Sequence, residues 1–274
     1  MKTITQTQIS AFESCRFFYY LKYVRQLVWP VSVPAQQNLQ EGNNFHLLVR
    51  QLILGFPPET LLFPAADEKL RRWISIWQRE KPLGPYQKIM AEKEASANYA
   101  DVLWLGKFDA LTVNGDRLTV FDWKTGSAVP DAAKYRTAPQ TRLYCFLARS
   151  CAPRLLGSGT GDFSAENIEM VYWFPEHPDH TLRFSYSDED AQRDLTYLRT
   201  RAREMSADDA SGFPRTSNLR RCGSCEYRSY CFPVQSFPGD GEDLIPPDPE
   251  DEVYQDSLFP PDPFAESDQE AVSF

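Results

Sequence analysis

No apolar run in the 274-residue chain approaches the roughly 18 residues that a membrane-spanning helix needs, and no basic start leads into an apolar segment of the secretory kind. Both absences point to a chain that works in the cytoplasm. There is no G-x-x-x-x-G-K-[ST] stretch, which excludes an ATP motor of that class, and no internal repeat. From Phe232 onward there is no Lys or Arg at all, against twelve Asp or Glu. That stretch, "FPVQSFPGDGEDLIPPDPEDEVYQDSLFPPDPFAESDQEAVSF", is Pro-rich and acidic and has neither a helical nor a strand period. It cannot bury enough apolar surface to offset its ordering entropy, so residues 236–274 read as a disordered tail behind a domain of residues 1–235. The formal net charge of -9 therefore misstates the body, which stands at +3 without the segment. A mildly basic body admits a nucleic-acid partner, since holding phosphates requires local positive potential.

What is present has a clear order. With 42% hydrophobic residues the chain can bury one large core or two modest ones. "TQTQISAFESCRFFYYLKYV" predicts a helix from about Thr7 to Tyr23, with its aromatic stripe (Phe12, Phe17, Tyr20) packed inward rather than stacked on bases. "AQQNLQEGNNFHLLVRQLIL" and "DEKLRRWISIWQRE" predict two further helices. Then "QKIMAEKEASANY", "VLWLGKFDALTVN" and "RLTVFDWKT" predict three antiparallel strands in series. A helix in "APQTRLYCFLARS", strands in "IEMVYWF" and "TLRFSYS", and a helix from Asp188 to Met205 follow. The expected class is a mixed α/β domain with a helical N-terminal part.

The segment 106–126, "GKFDALTVNGDRLTVFDWKTG", is the anomaly. It folds back at Asn114-Gly115-Asp116, yet it sets Asp109, Asp122 and Lys124 among residues that should pack a sheet. Strand residues two apart share a face, so Asp122 and Lys124 point the same way and Asp109 lies on the paired strand. Two carboxylates brought together inside a protein repel, and a divalent cation between them removes the repulsion. The competing reading is an exposed hairpin end with solvated charges. His46, on a helix that otherwise offers apolar residues, would complete an imidazole-plus-carboxylate set suited to Mn²⁺ or Mg²⁺.

These residues resemble the PD-(D/E)xK nuclease superfamily, and more narrowly its RecB-like branch, which includes the RecB and AddB nuclease domains and the CRISPR-associated spacer-acquisition exonucleases. Four motifs match in the branch's order: G-x-x-x-H at Gly42–His46, G-x-x-D at Gly106–Asp109, D-x-K at Asp122–Lys124, and Q-x-x-x-Y at Gln140–Tyr144. The resemblance implies a restriction-endonuclease-like mixed sheet flanked by helices. It implies that His46, Asp109 and Asp122 hold a Mg or Mn ion with the carbonyl of Trp123, and that Lys124 orients or helps deprotonate the attacking water. Gln140 and Tyr144, one helical turn apart, would contact DNA or brace Lys124. An acid ahead of the hairpin is also implied; Glu92 and Glu94 share a strand face by alternation, and Glu94 is the expectation.

The cysteines divide into Cys145 and Cys151 on or near a helix, Cys15 alone near the start, and Cys222, Cys225 and Cys231 in "RRCGSCEYRSYC". Disulfides are disfavoured in a reducing compartment, and clustered thiolates there point to metal. Spacing leaves zinc and iron-sulfur open, though a triplet plus one distant Cys is the pattern iron-sulfur sites use more readily. Iron-sulfur members of the same branch join one Cys of an N-terminal helix to a C-terminal C-x2-C-x5-C. By that resemblance Cys15, Cys222, Cys225 and Cys231 hold a [4Fe-4S] cluster, with a structural role. Cys145 and Cys151 read as small buried residues. His177 and His180 read as a solvated loop.

Arg199 and Arg203, one turn apart, and Arg215, Arg220, Arg221 and Arg228 around the cysteines form a basic set suited to phosphates. Within the tail, "QDSLF" (Gln255 to Phe259) resembles the peptide by which bacterial repair proteins dock on the sliding clamp, with Gln255, Leu258 and Phe259 as anchors. The functional expectation is a metal-dependent DNA nuclease, an exonuclease on single-stranded or frayed DNA, in repair and recombination or in CRISPR adaptation. A catalytically idle DNA-binding or adaptor protein is the alternative, disfavoured by the joint presence of Asp109, Asp122 and Lys124.

Overall fold

The structure, a computed structural model, describes residues 2–28, 33–61, 67–156, 163–207, 210–223 and 225–232. The proposed tail and its Gln255, Leu258 and Phe259 lie outside the described residues. No helix among the described residues is long and apolar enough to cross a membrane.

Six strands form one mixed sheet: β1 (Lys2–Thr5), β2 (Lys88–Tyr99), β3 (Val102–Asn114), β4 (Arg117–Trp123), β5 (Ile168–Trp173) and β6 (Leu182–Ser185). The central strand is β3. Along one edge it pairs antiparallel with β2 throughout; along the other it pairs parallel with β1 at Val102–Leu105 and antiparallel with β4 at Ala110–Asn114. Its edge at 106–109 therefore lies between two neighbours. The β3–β4 turn is taken at Gly115, whose φ of 64° favours glycine, and Gln87 Oε1 accepts its N–H at 2.9 Å. β5 runs parallel to β4, which requires a crossover, and β6 returns antiparallel.

Helices cover both faces. On one lie α1 (Gln6–Ser14), α2 (Arg16–Tyr19), which continues as a π-turn at Tyr20–Val24, the crossover helix α6 (Pro139–Leu156) and α7 (Asp188–Glu204). Their apolar side chains join Trp104, Phe108, Leu111, Val120 and Tyr172 in one core. On the other lie α3 (Val33–Ile53) and α4 (Glu68–Glu80), with Phe45, Leu48, Trp73 and Ile74 packed on Ala110, Phe121, Trp123 and Trp173. Burying the large residues of both faces, at about 1.5–3 kcal/mol per side chain, is what holds a sheet with this much charge in its middle. Short helices α5 (Ala132–Thr137), α8 (Leu219–Gly223) and α9 (Arg228–Cys231) complete the fold.

Two differences from the sequence reading matter for function. The edge strand β1 is additional. The expected helix from Thr7 to Tyr23 is interrupted at Cys15, which is extended (φ -160°, ψ 114°) and caps α2 through its own Sγ, 3.4 Å from the N–H of Phe18. The aromatic stripe faces inward: Phe12 and Tyr20 are buried and Phe17 is half-buried against the core.

The strands also change phase. In β3 the residues facing the first core are Trp104 and Phe108, then Leu111 and Val113; in β2 they are Met90, then Ala95 and Ala97. Both strands slip by one residue at the facing pair Glu92 and Asp109. The neighbouring pairs Ala91–Ala110 and Lys93–Phe108 keep their register, while Glu92 takes a left-handed φ of 51°. A non-glycine residue there costs about 1–3 kcal/mol, so the surroundings must enforce it.

Candidate metal centre

The phase slip brings acids to one spot. His46 on α3 crosses from its face of the sheet so that Nδ1 lies 2.9 Å from Asp109 Oδ1. The other oxygen, Oδ2, accepts the backbone N–H of Trp123 at 2.6 Å. β4 parts from β3 after Ala110–Phe121, and this side-chain bond takes over where the ladder stops. One ligand atom each from His46, Glu92 and Asp109 lie within 4.8 Å of one another, an arrangement of imidazole and carboxylates that could hold a metal ion.

Asp122, Lys124 and Gln140 form a closed ring beside it. Lys124 Nζ donates to Gln140 Oε1 at 2.8 Å, and Gln140 Nε2 donates to Asp122 Oδ1 at 2.6 Å. Lys124 Nζ is also 2.8 Å from Asp122 Oδ2, but off the hydrogen-bond direction, so this buried oxygen has an ion contact and no directed hydrogen bond. A buried carboxylate oxygen left in that condition, next to a second buried acid, suits a further cation. Asp109 and Asp122 are 8% and 4% exposed, so the solvated hairpin end is not what forms.

Electrostatics bind the group together. Burial raises the Asp109 carboxyl above the usual range; His46 draws it down and Asp122 pushes it up. Burial also raises Glu92, aided by Asp109 and opposed by Lys107. For His46, burial acts downward but the charge and hydrogen bond of Asp109, with Glu92 and Asp122, prevail and raise it to about 9. These are the shifts of a site that carries more negative charge than its own cations balance.

Two glycines of the motifs are explained by close approach. A Cβ on Gly106 would stand 2.7 Å from Leu147 Cδ1 and 3.0 Å from the Tyr144 ring, so α6 lies directly on β3 there. One on Gly42, a turn before His46, would stand 3.1 Å from Thr125 Oγ1, just past Lys124.

Several expectations are corrected by position. Glu94 is exposed and outside the group; Glu92 takes the place expected of it, because the left-handed turn at Glu92 abolishes the shared face that alternation assigns to the two. Tyr144 is buried at 3% and does not reach the surface. Its hydroxyl donates to the Lys107 carbonyl at 2.8 Å and its ring packs edge-on against Phe108. Gln140 does brace Lys124. Trp123 brings its N–H to Asp109, while its indole is buried in the second core. Lys107 and the backbone distortion at Glu92 escape sequence reasoning, since Lys107 is an unspecified position of the G-x-x-D motif and Glu92 is marked by no glycine, asparagine or motif.

Cys15, Cys222, Cys225 and Cys231 line one cavity with Phe18, Leu21 and Tyr227. The thiols feel one another: burial raises Cys222, and Cys15 and Cys231 raise it further; burial likewise pushes Cys225 up to about 11. Arg215, which donates to the Cys231 carbonyl at 3.1 Å, Arg221 and Arg228 line the same cavity. Arg199, Arg203 and Arg220 are exposed. Cys145 and Cys151 are buried as expected. His177 lies in the loop, with Nε2 2.8 Å from the Ser127 carbonyl, and neither it nor His180 joins the metal group.

Comparison with known proteins bears on the fold and the family. The crystal structure of a protein named "Putative exonuclease" from Eubacterium rectale aligns with a TM-score of 0.53 at 11% identity, over 84% of this chain and 88% of that one, a likeness of fold. The crystal structure of SSO0001 aligns with a TM-score of 0.37 at 14% identity, over 84% of this chain and 85% of that one. No curated protein matches the sequence. The family model of the PD-(D/E)XK nuclease superfamily matches residues 3–232, which span the sheet, the acid pair, the lysine and the cysteine cavity, and the chain belongs to that superfamily.

Proposed function

We propose that the protein is a Mg²⁺- or Mn²⁺-dependent deoxyribonuclease, an exonuclease acting on single-stranded or frayed DNA ends. The observation that carries this reading is the convergence of His46, Glu92 and Asp109 within 4.8 Å beside the Asp122–Lys124–Gln140 ring. In this reading His46, Glu92 and Asp109 hold the cation, with Asp122 and the carbonyl of Trp123 as further ligands. The chemistry that a divalent ion held there would supply is a lowered pKa for the attacking water and an offset to charge developing on the phosphate.

The chain's own residues do the rest. Gln140 fixes the Lys124 ammonium through its 2.8 Å bond, so a positive charge with rotatable donors faces the attacking water and the scissile phosphate. Trp123 pins Asp109, which in turn orients the His46 ring. The exposed arginines 199, 203 and 220 supply phosphate contacts to the strand. The name of the Eubacterium rectale neighbour supports exonuclease action in particular.

The cysteine cavity fits an iron-sulfur group: four thiols from opposite ends of the chain line one space with apolar and aromatic neighbours. We assign Cys15, Cys222, Cys225 and Cys231 to a [4Fe-4S] cluster that ties the two ends together. Digestion of end-labelled single-stranded and duplex DNA with Mn²⁺ or Mg²⁺, after anaerobic purification, tests the whole. Metal-dependent shortening from an end that disappears in Lys124→Ala supports the reading. Strand binding with no cleavage by the wild type in either metal overturns it.

A further inference from the structure

Lys107 of β3 does two separate things. Its carbonyl accepts the Tyr144 hydroxyl at 2.8 Å, which anchors the backbone. Its ammonium lies 2.5 Å from Glu92 Oε2, with 36% of the Lys107 side chain and 15% of the Glu92 side chain exposed. Glu92 has a left-handed φ and faces Asp109 where both strands change phase. Its carboxylate is thus drawn from two sides: outward by the ammonium of Lys107, inward by the position it shares with His46 and Asp109.

An ammonium and a divalent cation compete for one carboxylate, because charge neutralised by the first is not available to the second. We propose that Lys107 is a positioning residue that competes with the divalent cation for Glu92 and, once displaced, turns its ammonium to a phosphate of the DNA strand, so that metal loading promotes strand binding. This rests on the reading of His46, Glu92 and Asp109 as a metal centre. The half-exposed lysine stands at the rim of that group, where a strand must approach. Lysine suits both parts, as a compact charge on a flexible stem that moves from one oxygen to another without loss of donors.

The arrangement has opposite consequences for two ligands, which a merely structural lysine cannot produce. Loss of the ammonium leaves Glu92 undivided and tightens metal binding; the same loss removes a phosphate contact and loosens the strand. The test uses the full chain. Titration calorimetry with Mn²⁺ alone compares wild type, Lys107→Met and Lys107→Arg. Fluorescence anisotropy of a labelled oligothymidine in Mn²⁺ follows strand binding, with Lys124→Ala present in each protein to prevent cutting.

Lys107→Met is expected to bind Mn²⁺ about fivefold or more tightly, in the usual range of coupling between sites. It should bind the oligonucleotide more weakly, with the slope of log affinity against log salt reduced by about one. Lys107→Arg should restore strand binding. Melting of Lys107→Met and Lys107→Gln shows whether either loses the fold; if Lys107→Met does, Lys107→Gln takes its place in both titrations. Unchanged or weaker Mn²⁺ binding by a folded variant overturns the proposal, as does unchanged strand affinity. Absence of Mn²⁺ binding in the wild type instead sinks the metal centre, and the proposal with it.

Discussion

His46 Nδ1 lies 2.9 Å from Asp109 Oδ1, a single contact that joins a helix on one face of the sheet to the central strand. Since Asp109 also takes the N–H of Trp123, its two oxygens link the helix, the strand and the hairpin end. Asp109→Asn keeps the shape and deletes the charge, so it should abolish Mn²⁺ binding in calorimetry while the far-ultraviolet circular dichroism spectrum is preserved. His46→Ala should weaken Mn²⁺ by at least about 10–100-fold, since even outer partners of metal ligands are worth that much.

In the proposed reading Lys124, held by Gln140 and beside Asp122, serves the attacking water and the phosphate, while His46, Glu92 and Asp109 hold the cation. Lys124→Ala is expected to lower kcat by about 10²–10⁴-fold, the usual range for a residue that transfers or steers a proton, with Mn²⁺ and strand affinities changed little. Lys124→Arg should not rescue it, because a planar fork cannot take both Gln140 Oε1 and the Asp122 side in the space of an ammonium. A parallel loss of Mn²⁺ binding in Lys124→Ala would reassign the residue to the metal centre's architecture.

How much of this was legible in the sequence depends on which physical rule each residue obeys. Asp109, Asp122 and Lys124 stand out because charges in an apolar hairpin violate the binary pattern, and the long helices follow from their period. Alternation gives Glu92 and Glu94 the same face and cannot choose between them, and it fails at Glu92, the residue inside β2 that takes a left-handed φ. Nothing local marks that turn: it is enforced by the packing of β2 on β3 and by Lys107. β1 is four residues long with one buried side chain, Ile4, too short for any period to show. The break at Cys15 does not show in the sequence because the apolar pattern continues across it, while in the structure Cys15 is extended and caps α2 through its Sγ.

The close approach at Gly106 gives a stability prediction. Gly106→Ala adds a methyl group 2.7 Å from Leu147 Cδ1 and 3.0 Å from the Tyr144 ring, in a core with Leu147 fully buried. Overpacking of this kind costs about 1–3 kcal/mol. Because the displaced helix also carries Gln140, activity should fall further than stability does; urea unfolding and cleavage rate measured on the same preparation separate the two. Combining Gly106→Ala with Leu147→Val makes room and should restore part of each.

Tyr19 is one of the buried tyrosines, with Tyr172, Tyr186, Tyr197 and Tyr227, whose hydroxyls burial raises, and it contributes to alkaline stability. The residue is 1% exposed, and burial raises its hydroxyl from the ordinary 10.0 to about 12. The folded state therefore keeps a proton that the unfolded chain releases, and stability present below pH 10 is lost as pH rises through about 12. Two pH units correspond to about 2.7 kcal/mol at most. Tyr19→Phe should flatten the fall in melting temperature between pH 10 and 12 relative to wild type; an identical pH profile in both proteins would place the loss elsewhere.

The cysteine cavity joins α2 to the α8–α9 segment across about two hundred residues of chain, and closing so long a loop costs only slightly more than closing a short one. A group bound by all four thiols therefore acts mainly as a clamp on the N-terminal helices, whose own core is already formed by Phe12, Tyr19 and Phe213. Cys225→Ser is expected to abolish the broad visible absorbance of an iron-sulfur protein purified without oxygen and to lower the melting temperature. Mn²⁺ binding at His46 should remain, because the metal centre is built from α3 and the sheet and not from the cavity. Lys22→Ala, which removes the 3.2 Å ion pair to Glu226 beside Cys225, should weaken the same clamp without loss of absorbance. If the wild type instead binds zinc and is colourless, the cavity still joins the two ends, and Cys225→Ser should then release one zinc per chain.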